Sequence, residues 1–80
     1  MEISLIRCID NKSSEDVLVF STDEEIINFL KSYNLEFTEI IELNDSVYNV
    51  KEISVKLIKD KIEIWVNVDF IDLIENLPTA

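Results

Sequence analysis

Hydrophobic and polar positions divide the chain into short, separable patterns. Ile3 to Ile9 is β-branched and apolar on both sides, which predicts a strand. The polar run from Asp10 to Asp16 predicts a loop, and Val17 to Phe20 a second strand, hairpin-paired to the first. In the next stretch Ile26, Phe29, Leu30 and Tyr33 recur at i, i+3, i+4 and i+7, one helical stripe. Thr22 and Glu25 have capping-box spacing, and Asp23, Glu24 and Glu25 meet the positive end of the helix dipole. The helix is expected over 23–33, with Asn34 as its left-handed stop.

The second half alternates more strictly. Ile53 to Lys59 and Ile62 to Val68 each alternate apolar and polar, separated by Asp60-Lys61. A two-residue loop there pairs 59 with 62, 57 with 64, 55 with 66 and 53 with 68. That register places Ile53, Val55, Leu57, Ile62, Ile64, Val66 and Val68 on one face. Trp65, Lys56 and Ile58 fall on the other. Phe70, Leu73, Ile74 and Leu77 repeat the helical spacing, with Asp69 as cap and Pro78 as terminator, so a second helix is expected over 69–77.

Residues 36–43 fit two patterns. As a helix they would put Phe37, Ile40 and Ile41 in a core stripe, with Glu36, Glu39 and Glu42 on the opposite side. As a strand they would run to a turn at Asn44-Asp45, followed by a strand over 47–50. The turn signal and the β-branched content favour the strand. The expected fold is therefore α+β: a mainly antiparallel sheet of about five strands with two helices. The expected order is β-β-α-β-β-β-β-α, or the same with 36–43 helical.

Composition narrows the chemistry. Eighty residues make a single domain over 1–80. There is no Gly, so Asn and Asp must serve turns that need positive φ: Asp10-Asn11, Asn34, Asn44-Asp45 and Asp60. Without Gly there is no phosphate-cradling loop, and without His the commonest general base and zinc–imidazole sites are missing. One Cys, Cys8, excludes an internal disulfide and a Cys-based zinc site. The acids Asp23 to Glu25, and Asp10 with Glu15 and Asp16, are hard oxygen ligands, but their spacing is not that of a calcium loop. No cofactor, no metal and no catalysis are expected. The start of the chain lacks a basic segment before a long apolar run, and no run could span a bilayer, so a cytoplasmic location is expected.

Charge adds a direction. The net charge is -10. Residues 13–49 carry nine acids against Lys31, a net of -8, while residues 50–80 carry six acids and four bases, a net of -2. Direct binding to nucleic acid or to an anionic membrane needs the opposite sign. A basic protein partner fits this field, and so does plain solubility. Glu36, Glu39, Glu42 and Asp45 recur every three residues with no base among them. On a strand, carboxylates two residues apart lie about 7 Å from each other, close to phosphate spacing. Trp65 fits two roles: a ring covered by a helix or by Lys56, or an anchor for a partner.

Two functional classes follow. One is a small acidic inhibitor that docks a basic, nucleic-acid-binding surface through Glu36, Glu39, Glu42, Asp45, Asp23, Glu24, Glu25 and Trp65. In general composition the chain resembles phage-encoded inhibitors and immunity proteins, with no motif to carry the likeness. The alternative is an assembly module that forms a homodimer through the Trp65 face or an edge strand, with charge serving solubility.

Overall fold

A computed structural model describes residues 2–34, 36 and 39–77. The chain begins with an antiparallel pair, β1 (Glu2–Asp10) and β2 (Asp16–Phe20). Helix α1 (Asp23–Ser32) follows. Then come β3 (Ile40–Leu43), β4 (Ser46–Ile58) and β5 (Lys61–Leu73), and a 3-10 turn over Ile74–Asn76. The strands form one sheet in the order β2-β1-β5-β4-β3. It curls into a half-barrel and is mixed, because β1 runs parallel to β5 while the other neighbours are antiparallel.

The expectation of an α+β fold with two helices is overturned: the protein is mostly β, with one ten-residue helix. The helix expected over 69–77 is strand as far as Leu73. The helical spacing of Phe70, Leu73 and Ile74 loses to pairing, because Ser46 to Asn49 of β4 offer a ladder to Asp69, Phe70, Asp72 and Leu73. Asp69 consequently caps nothing and lies in β5, with Lys51 Nζ 3.9 Å from its carboxylate. The strands expected over 47–50 and 53–59 are one continuous strand. In the ambiguous stretch 40–43 is strand; Leu35, Phe37 and Thr38, like Pro78, lie outside the described residues.

α1 starts as its sequence dictates. The Thr22 hydroxyl accepts from the Glu25 amide, and the Glu25 carboxylate accepts from the Thr22 amide. Its end differs from expectation: Tyr33 closes it in extended backbone, and Asn34 uses its side chain to accept the Glu36 amide. The turn residues also redistribute. Asn44 and Asp45 both have positive φ, 50° and 61°, the pair of values a type I′ hairpin requires. Among the described residues the other positive-φ positions are Ser14 and Lys59, not Asp10, Asn11, Asn34 or Asp60.

The β4–β5 turn therefore occupies Lys59-Asp60, and the register pairs 58 with 61, 57 with 62, 55 with 64 and 53 with 66. This is one step from the expected register, and each pair sum changes by two, so every side chain keeps its face. Ile6 and Cys8 of β1, Ile64, Val66 and Val68 of β5, and Ile41 and Leu43 of β3 pack with Ile26 and Phe29 of α1 into one core. The helix does not reach the far end of the long hairpin. Val55 and Leu57, on the same face as Ile64 and Val66, remain 67% and 64% exposed. No helix among the described residues is long and apolar enough to cross a membrane.

Candidate functional site

The acidic residues come from three places. Asp23, Glu24 and Glu25 form the exposed first turn of α1. The Glu25 carboxylate is fixed by Thr22 and Ser21, whose hydrogen bonds hold its pKa below the usual range. Glu42 belongs to β3 between buried Ile41 and Leu43, so its side chain is forced outward, and its amide donates to the Tyr33 hydroxyl at 3.1 Å. Glu25 and Glu42 line one shallow groove with Phe29, Ser32 and Tyr33. The fold thus sets two residues seventeen positions apart in sequence on the border of one groove, Glu42 with its backbone amide against Tyr33.

The other acids are placed differently. Asp23 lines a separate groove with Glu2, Ile3, Ile27 and Leu30. Asp45, in the β3–β4 turn, lines a third with Leu73, Ile74 and Glu75, and its carbonyl accepts the Ile74 amide at 2.9 Å. Glu36 and Glu39 are exposed ahead of β3, and the Glu39 carbonyl accepts the Val50 amide at 2.7 Å. Glu36, Glu39, Glu42 and Asp45 therefore span a loop, a strand and a turn rather than one straight row. Among the described residues the ion pairs are Arg7 with Asp16 at 3.2 Å and Lys51 with Asp69 at 3.9 Å. Among the described residues, lysines of the last hairpin therefore form no ion pair with the acids of α1 and β3.

Trp65 occupies the outer face of the sheet, away from α1. It lies across from Arg7 on one side and Ser54 on the other. The Arg7 guanidinium is 5.1 Å from the ring centroid and Lys56 Nζ 5.2 Å. The indole N–H donates to Glu63 Oε1 at 3.0 Å. The ring is half-buried by cations rather than by a helix. Arg7, whose side chain is held against Asp16, is the partner that sequence spacing did not assign, because the parallel β1–β5 register is a long-range pairing.

Cys8 is fully buried, and burial pushes its thiol up to about 12. It is a packing residue with no thiolate at neutral pH. Among the described residues no group of three or more Cys, Asp or Glu is placed to hold a metal ion.

Two further surfaces emerge that alternation alone did not reveal. β3 covers the outer edge of β4 only as far as Val50, so among the described residues no strand pairs with that edge over 51–58. Val55, Leu57 and Ile58 are exposed there. At the opposite end β5 runs beyond its last β1 partner, Val68, and exposes Phe70, Ile71 and Leu73. Comparison with family models, curated proteins and solved structures finds no match.

Proposed function

We propose that this protein is a non-enzymatic binding module that docks a basic surface of another protein, such as a nucleic-acid groove, and inhibits it by occupying that surface. The observation that carries this reading is the unpaired acid of α1 and β3: among the described residues none of their exposed carboxylates has a cation within ion-pair distance, and Glu25 and Glu42 border one groove. Glu24, Glu36 and Glu39 add to the field from exposed positions. A net charge of -10 accelerates encounter with a basic partner and makes the encounter sensitive to salt. The immobilised protein should capture a basic partner from cell lysate at low salt, release it at high salt or on adding nucleic acid, and lose it when Glu25 and Glu42 are both changed to Gln. Capture indifferent to salt and to those substitutions would remove charge-led docking from consideration.

A second reading is assembly, with charge serving solubility. It is supported by the open edge of β4, where exposed apolar side chains flank a backbone with no partner strand among the described residues.

A further inference from the structure

The open edge of β4 has a pattern specific enough to name its occupant. In a two-residue hairpin the flanking pair, here Ile58 and Lys61, exchange both backbone hydrogen bonds. Alternate residues back along β4, Leu57, Val55 and Ile53, then direct their N–H and C=O groups away from β5. The irregularity between Val50 and Glu52 preserves this phase, because Val50 also points its amide outward, to Glu39. The outward-pointing backbone thus belongs to Ile, Val and Leu, and their side chains lie on the core face beside it. The lysines that usually guard an edge do not guard this one. Lys56 turns its backbone inward to Glu63 and lays its side chain by Trp65 on the outer face, and Lys51 is beside Asp69.

We infer that this edge pairs with β4 of a second copy, antiparallel, with Ser54 of each chain on the two-fold axis. This deepens the assembly reading and does not depend on the basic-partner proposal. In that register Ile53 of one copy and Val55 of the other form a hydrogen-bonded pair, twice by symmetry. Val55 is covered, and Leu57 lies diagonally from the partner's Ile53. On the outer face Glu52 of each copy lies directly opposite Lys56 of the other, again twice. Directly opposed side chains have their Cβ atoms about 4.5–5.5 Å apart and interact most strongly in such a non-hydrogen-bonded pair. Shifting the axis to Val55 would oppose Lys56 to Ser54 and Glu52 to Ile58, and shifting it to Lys56 would oppose Lys56 to itself. Charge complementarity therefore selects Ser54. The outer face then carries a continuous row of Arg7, Trp65 and Ser54 met by the same row reversed.

Sedimentation of the full chain at about 0.15 M salt tests this, because screening reduces the mutual repulsion of two strongly acidic copies. The protein should dimerise below about 0.5 mM. Lys56→Glu and Glu52→Lys should each weaken the dimer about tenfold or more, by replacing two attractive pairs with two repulsive ones. The double exchange Glu52→Lys/Lys56→Glu should recover affinity to within about threefold of the parent. Loss of the Lys56–Trp65 contact, and any effect on the neighbouring Glu63, is common to Lys56→Glu and the double variant, so recovery isolates the contact between copies. Circular dichroism confirms that the variants are folded. A dimer that ignores all three variants, or stays weakened in the double, overturns this register while leaving assembly standing. A monomer at every concentration overturns both, and leaves the edge to an extended segment of a different protein.

Discussion

At the scale of single residues, much of the polar chemistry is structural. Asp10 illustrates this: its carboxylate accepts from the Ser13 hydroxyl at 2.7 Å and from the amides of Lys12 and Ser13, closing the β1–β2 loop. Those bonds, the Ser13 hydroxyl first, lower its pKa. Thr22 and Glu25 do the same for α1, and that pair is legible in the sequence from its capping-box spacing, whereas the sequence places Asp10 only in a turn. Cys8 is the residue whose titration touches stability. Its folded pKa of about 12 lies above the ordinary thiol value of 9.0, so the folded state holds the proton longer than the unfolded state does. The stabilisation is complete below pH 9.0 and is lost as pH rises toward about 12. Native protein should resist thiol alkylation at pH 8 until it unfolds, and Cys8→Ala should flatten the alkaline fall in a series of denaturant midpoints. Rapid alkylation of folded protein would contradict the burial of Cys8.

At the scale of elements, turns decide more than propensities do. Asn44-Asp45 announces its hairpin because Asn and Asp tolerate the positive φ that both central residues need. The β4–β5 turn is hidden because Asp60 belongs to both Lys59-Asp60 and Asp60-Lys61 and so does not choose between them, and the strands alternate equally well in both registers. Lys59 adopts φ 57° with a Cβ, a conformation that costs roughly 1 kcal/mol. Relief of that cost is largely offset by the extra unfolded-state entropy of Gly, about 0.4–1 kcal/mol, so Lys59→Gly should raise stability by no more than about 0.6 kcal/mol, measured by urea unfolding. A destabilised Lys59→Gly variant would show that the lysine side chain supports the turn in some other way. The helix expected over 69–77 fails for a related reason. Its period was real, but β4 supplied a partner strand, and paired backbone outweighs a weak amphipathic stripe.

At the scale of the whole molecule, the long hairpin outruns what covers it. The molecule extends 43 Å along one axis against 26 and 21 Å along the others. β4 and β5 have thirteen residues each, while α1 has ten and β3 four. Positions equivalent in sequence pattern thereby acquire unequal energetic weight. Ile6→Ala, in the sealed core, should cost about 2–5 kcal/mol. Leu57→Ala, on the same apolar face but uncovered, should cost about 0.5 kcal/mol or less in the dilute monomer. Comparable losses at both positions, read from denaturant midpoints, would place the end of the hairpin inside the core. By itself the sequence determined what local spacing controls: the β1–β2 hairpin, the start of α1, the Asn44-Asp45 turn, which side chains share a face, and the excess of carboxylates. Only the tertiary structure decided the parallel β1–β5 pairing, the strand in place of a second helix, Arg7 beside Trp65, the groove bordered by Glu25 and Glu42, and the open edge of β4. Each of these depends on which distant segment arrives as a neighbour. That choice is made by burial summed over the whole chain, and no window of the sequence contains it.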